Sequence, residues 1–283
     1  MHDAGGTIGR LSIEPLSVMG LPPVEHVGLA ADLGLRYVAM SLSALPNPYG
    51  YPPFSLRDDL PLRAETLAVL RDREVTVSLG DGFVLHPGGN LRALAGDVAV
   101  MAELGAQRVN TVTFDPDLSR SIDQFAVLAE MAADAGMETT LEFSPGLTIA
   151  DLPTALDAVR AVGRPDFRLL IDTMHLVRSG SGPADVAAIE PELIGYVQLS
   201  DFPLVPTIDN YMEEACFERR VPGTGEAPLL EILDALPRHL VIGLEIPLRS
   251  QADAGIGPHE RLGRCVSAAR ELLAQLDHQE HQA

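Results

Sequence analysis

Two glutamates stand near the ends of β-prone runs, Glu142 in METTLEF (137–143) and Glu245 in LVIGLEI (240–246), and a proline soon follows each. A carboxylate at the tail of an apolar run is costly unless it is paired or bound to a cation. Two further runs repeat the pattern: FRLLID (167–172) ends on Asp172, and IGYVQLS (194–200) carries Gln198, with His175, Asp201 and Arg220 close behind. Carboxylates of this kind can remove and return protons, and an imidazole and a guanidinium can hold substrate oxygens. Three carboxylates brought together would raise one another's pKa, and a divalent ion with oxygen ligands resolves that conflict. Each residue alone has a plainer explanation: a helix N-cap, a satisfied amide, a packing histidine, or a surface ion pair of Arg220 with Glu218 or Glu226. The set on four successive runs carries the chemical reading.

Those residues meet only if the runs end at one place. Eight β-prone runs (10–14, 36–42, 75–80, 108–114, 137–143, 167–172, 194–200 and 240–246) alternate with segments of helical period. The phrases AADLGLRYV, MAELGAQRVNTV and AADAGMETTLEF repeat one unit of helix, glycine stop, short turn and strand. The alternation predicts an α/β fold, a (β/α)8 TIM barrel in a single domain over 1–283, with a polar tail from about 279. A doubly wound sheet is the alternative, but no GxGxxG follows the first run. Proline just past a strand (IEP, FDP, EFSP, DFP, EIP) stops the ladder, and in a barrel all such points share one mouth.

Composition narrows the chemistry. All 20 basic residues are arginine, so a Schiff-base aldolase, a pyridoxal-phosphate enzyme and a P-loop NTPase lack the lysine they need. A formal charge of −20 argues against nucleic acid and anionic membranes as partners. Two cysteines without CxxC spacing suggest free thiols. With no signal-peptide pattern and no long apolar run, the expectation is a cytoplasmic protein acting on a small molecule, with homo-oligomerisation open.

The motifs LEF, IDTMH, YVQLSD, RRVPGTGE and GLEIP resemble the xylose-isomerase-like TIM-barrel superfamily of sugar phosphate isomerases and epimerases, along essentially the whole chain. The resemblance implies a metal site of Glu142, Asp172, Gln198 and Glu245 and substrate contacts from His175 and Arg220. It implies an isomerase or epimerase in which Glu142, Glu245 and His175 are catalytic. Epimerases of the group usually carry histidine where this chain has Gln198. An amide oxygen shifts preference toward Mn²⁺ or Mg²⁺, with Co²⁺ and Zn²⁺ as alternatives. Glutamine there also resembles the 3-dehydroshikimate dehydratases, which makes a lyase the second reading. Those carry a histidine soon after the first glutamate, however, and here Phe143, Ser144 and Pro145 follow. A third reading is an inactive barrel used as a binding module.

Overall fold

Strands buried on both faces read as continuous apolar runs, and here they close into a barrel. The computed structural model describes residues 7–45 and 49–280. Its strands are β1 (Leu11–Ile13), β2 (Tyr37–Ser41), β3 (Thr76–Leu85), β4 (Arg108–Thr113), β5 (Glu138–Glu142), β6 (Phe167–Asp172), β7 (Ile194–Leu199) and β8 (Ile242–Leu244). Each pairs in parallel with the next, and β8 returns to β1 through Ser12↔Gly243. The predicted (β/α)8 barrel is the observed fold. β3 runs past its expected end at 80, because a register shift between Gly80 and Phe83 bulges the strand and lets pairing resume at Phe83↔Thr111.

The longer helices take their predicted places, and several start at aspartate caps: Asp59, Asp117 and Asp151 each accept a backbone N–H from the first turn. The segment expected at 182–191 contracts to Pro183–Ala187. The last helix runs Pro258–Glu280, so its backbone stays regular into the expected polar tail; residues 281–283 of that tail lie outside the described residues. Two short helices, Thr173–Arg178 and Tyr211–Phe217, escape sequence periodicity because neither spans more than two turns. Both carry site residues. Cys216 and Cys265 are free, and no helix among the described residues is long and apolar enough to cross a membrane.

Strand alternation sorts the barrel interior into layers. Ala39, Leu79, Leu170, Tyr196 and Val241 pack into a buried floor. Two residues further along the same strands stand Asp81, Asp172 and Gln198. The apolar floor and the polar mouth are therefore successive inward positions of the same strands.

One buried group links this packing to pH. His26, on the helix Pro23–Asp32, is 3% exposed, and burial lowers its pKa to about 4 against a hydrogen bond with the Ile13 backbone. The unfolded chain therefore binds this proton first, so the stabilisation is complete above about pH 6.5 and is lost as pH falls toward 4. Between pH 7 and 4 the wild type is expected to lose roughly 3 kcal/mol more than His26→Leu. Urea titrations across that window check it, and parallel curves would refute it.

Candidate active site

Asp172 ends β6 and is the N-cap of Thr173–Arg178, its Oδ1 accepting from the N–H groups of Met174 (2.7 Å) and His175 (2.9 Å). That short helix carries His175 back over the mouth. Its Nε2 lies 3.2 Å from Glu142 Oε1, while its Nδ1 meets the Tyr211 hydroxyl. The other oxygen of Glu142 accepts from the Asn110 amide of β4 at 2.6 Å. Glu142, Asp172 and His175 each offer a ligand atom, and these atoms lie within 4.8 Å of one another. The structure thus groups His175 with two of the expected metal ligands, whereas the resemblance gave it to substrate.

Glu245 is not among those three, and a buried arginine bridges it to Asp172. The segment Glu218–Arg220 is wedged between the ends of β7 and β8, with Arg219 N–H donating to Pro247 O (2.8 Å) and Arg220 paired with Asp201. Side chains alternate along an extended segment, so Arg219 turns inward and Arg220 outward. Arg219 is 2% exposed. Its Nη1 donates to Asp172 Oδ2 (2.5 Å) and Ser200 Oγ (3.1 Å), Nη2 to Glu245 Oε2 (2.8 Å) and Nε to Ala215 O (2.7 Å). Arg220, expected at the substrate, is exposed and lines an open cleft of about 510 Å³ with Arg219, Thr224, Ser250 and Arg264. A one-residue slip in parity is enough to exchange the two.

The VPGTGE turn supports this wedge through Asp201, not part of the cluster. Asp201 Oδ2 accepts from Gly223 and Gly225 N–H, and Oδ1 from Phe202 and Ala227 N–H. A Cβ on Gly225 would sit 2.2 Å from Asp201 Oδ1, so only glycine fits.

Charge is shared unequally. Burial is the largest influence on Asp172 and would raise its pKa, but the Arg219 guanidinium, His175 and the hydrogen bonds from both together outweigh it and hold it at about 2. Burial dominates at Glu245 and pushes it well above the carboxylate range, with Arg219 opposing and Glu142 adding to the rise. Burial would lower Arg219 as well, yet Asp172 and Glu245 keep it raised and charged. With all three carboxylates ionised, Arg219 brings their charge of −3 to −2. A dication would then neutralise the cluster, not leave the −1 that the ligands alone imply.

Gln198, 2% exposed, donates its Nε2 to Glu245 Oε1 (3.3 Å) and to Glu14 Oε2 (3.4 Å), while its Oε1 is buried without a hydrogen-bond partner. A buried acceptor without a donor fits a cation. Together with the clustered carboxylates and imidazole, this is a mixed oxygen and nitrogen donor set suited to a divalent ion.

The sequence reading missed Arg219, Glu14, Asn110, Tyr211 and the mouth-layer Asp81, raised to about 6 by burial and Glu142. Inward parity along β1, β3 and β4 was the available signal for Glu14, Asp81 and Asn110. Among the large apolar side chains near the strand ends, Phe83, Phe143, Met174 and Phe202 are buried packing. Phe114 is exposed and stacks on His86 at 6.1 Å.

Comparison with known proteins agrees with this barrel. No curated protein matches the chain in sequence. Similar solved structures include the IolI protein with a bound zinc atom, at 18% identity and TM-score 0.75 over 94% of this chain and 99% of that one. D-allulose 3-epimerase from Methylomonas sp. matches at 16% identity and TM-score 0.68, covering 93% and 97%. The probable 3-DHS dehydratase AsbF from Bacillus anthracis matches at 16% and 0.68, covering 89% and 97%. At such identities the likeness is one of fold. The model of the xylose isomerase-like TIM barrel matches residues 27–265, from the first long helix to the last, and the chain belongs to that family.

Proposed function

We propose that this chain is a divalent-metal-dependent enzyme of isomerase or epimerase type. It removes a proton next to a carbonyl or hydroxyl carbon of a small polyhydroxylated or cyclic substrate. The observation that carries the reading is the mouth cluster: Glu142, Asp172 and His175 within ligand distance, beside a buried and unpartnered Gln198 Oε1. Glu142, Asp172 and the Gln198 oxygen, with Glu245, would hold Mn²⁺ or Mg²⁺, which when bound polarises a carbonyl and acidifies the adjacent C–H.

The chain's own groups then divide the work. Glu142 is the most accessible of the three carboxylates, its side chain 13% exposed against 7% for Glu245 and 0% for Asp172. It is placed to take the proton, with Asn110 fixing one oxygen. Glu245 approaches from the far side of β6 and β7 and returns a proton. His175, its ring fixed by Tyr211, contacts a substrate oxygen. Each guanidinium nitrogen of Arg219 already donates to a protein acceptor, so it serves as a fixed positive charge that helps keep Asp172 ionised.

A lyase is the second reading, and the Tyr211–His175 pair favours it. Burial, with Asp172 next, pushes the Tyr211 phenol well up, so it remains a neutral O–H that fixes the ring of His175, and a protonated His175 can give its Nε2 proton to a leaving hydroxyl. A panel of ketoses, inososes, 3-dehydroshikimate and lignin-type aromatic hydroxy compounds with added Mn²⁺ separates the readings. Isomerised product with solvent hydrogen at the reacting carbon supports the first, and dehydrated product the second. Metal-loaded protein that turns over none of them points to a binding module.

Gln198→His tests the donor set directly. An imidazole nitrogen replaces an amide oxygen, and zinc favours nitrogen. The variant is expected to fold and to gain Zn²⁺ affinity relative to Mn²⁺ in calorimetric competition. An unmoved preference would remove Gln198 from the ligand set.

A further inference from the structure

One buried carboxylate has no part in the reaction as proposed. Glu14 follows β1 at an inward position and is 1% exposed. Its Oε1 accepts from the Tyr196 hydroxyl at 2.8 Å, and its Oε2 from Gln198 Nε2 at 3.4 Å. Space for it is made on the neighbouring strand: a Cβ on Gly243 would fall 1.8 Å from Glu14 Oε1. β8 thus gives up a side chain, and the Glu14 carboxylate fills the gap.

The partners behind Glu14 fix which way it can be used. Ser78 Oγ donates to Val38 O at 3.1 Å, and its oxygen lies 2.9 Å from Ser12 Oγ and 3.0 Å from the Tyr196 hydroxyl. The Ser78 proton is spent on Val38 O, so Ser12 donates to Ser78, and Tyr196 donates to Glu14 Oε1. Glu14 therefore presents its remaining oxygen as an acceptor toward Gln198.

A glutamine amide has a donor end and an acceptor end of nearly equal size, and only the oxygen can ligate a cation. In this barrel the nitrogen end has two side-chain oxygens as acceptors, from Glu14 and Glu245, while the oxygen end has no donor. We propose that Glu14 is a positioning residue: it captures the N–H end of Gln198 and so presents the amide oxygen as the ligand of a divalent ion. Gly243 and Tyr196 hold Glu14 where it can do so. The inference rests on the reading that a divalent ion is held at this mouth.

Calorimetric titration with Mn²⁺, with the visible absorption of the Co²⁺-loaded protein as a second readout, tests it on four proteins: wild type, Glu14→Met, Gln198→Met and the double variant. Loss of an outer partner of a metal ligand typically costs about ten- to a hundredfold in affinity. Glu14→Met is expected to lose that much and to change the Co²⁺ spectrum, whereas in the Gln198→Met background the same change should cost nothing further. Equal losses in both backgrounds, or none in the first, would overturn the role of Glu14 while leaving the metal site intact. Wild type that takes up neither Mn²⁺ nor Co²⁺ would overturn the metal reading itself, and this inference with it. Should Glu14→Met fail to fold, Gly243→Ala supplies the test: it expels Glu14 sterically, and it must weaken Mn²⁺ binding only while Gln198 is present.

Discussion

Arg219→Leu is expected to lower the melting temperature of the metal-free protein by on the order of 10 °C, and Mn²⁺ should restore part of the loss. Removing one member of a buried charge network leaves the others uncompensated, at about 3–5 kcal/mol, and about 2–4 °C accompanies each kcal/mol in a chain approaching this size. The network is tight: Arg219 binds Asp172 Oδ2 and Glu245 Oε2 while almost wholly buried. Without it, Asp172 and Glu245 face each other and Glu142 with no guanidinium between them, and burial then raises their pKa values against much weaker opposition. A bound dication supplies the missing charge, so Mn²⁺ should raise the melting temperature more in the variant than in the wild type. Arg219→Lys should fall between, because an ammonium keeps the charge but lacks the planar fork that spans two carboxylates. Melting curves in chelator and in Mn²⁺ decide it. Equal Mn²⁺ shifts in both proteins would mean that guanidinium and ion do not share these carboxylates.

The same arginine marks where the sequence stopped being readable. The barrel was legible because its signals are local: a glycine ends each helix at Gly34, Gly105 and Gly136, and an apolar run follows within a few residues. Glu142 and Glu245 were legible through the prolines after their strands, and Asp172 through its place at the end of an apolar run. Arg219 was not, because Glu218–Arg220 is a three-residue wedge whose facing is set by Pro247 and Asp201, far along the chain. No alternation is measurable over three residues, and the neighbouring Arg220 matched the motif equally well.

Glu14 was hidden differently. IEP reads as a strand stop, and its meaning depends on the gap at Gly243 across the β1–β8 seam, which only closure of the barrel creates. Tyr211 reaches His175 from a short helix with no periodic signal. Asp172 shows that the plain and the chemical readings can both hold. It caps a helix with one oxygen and binds Arg219 with the other, and the cap is what delivers His175 to Glu142.

Glu245→Gln is expected to reduce turnover by about a thousandfold or more, the range in which a positioned acid or base contributes, while the fold keeps its stability within about 1 kcal/mol. Glutamine matches the shape, so Arg219 can still donate to its amide oxygen and retains its ion pair with Asp172. What is lost is one negative charge at a place where burial already opposes it. Relief of that burial offsets the weaker hydrogen bond, because a charged carboxylate in this position is costly to hold. Function has no such offset: an amide neither returns a proton nor contributes negative charge to a bound dication, so Mn²⁺ affinity should fall as well. Glu142→Gln should also abolish turnover, and the two variants separate by hydrogen exchange. If Glu142 removes the proton and Glu245 returns one from the other side, Glu245→Gln should still exchange substrate hydrogen with solvent deuterium without forming product, and Glu142→Gln should do neither. Proton NMR of substrate in D₂O, read beside steady-state turnover, makes the measurement. Full product formation by Glu245→Gln would remove Glu245 from the chemistry, and exchange by Glu142→Gln would reverse the two roles.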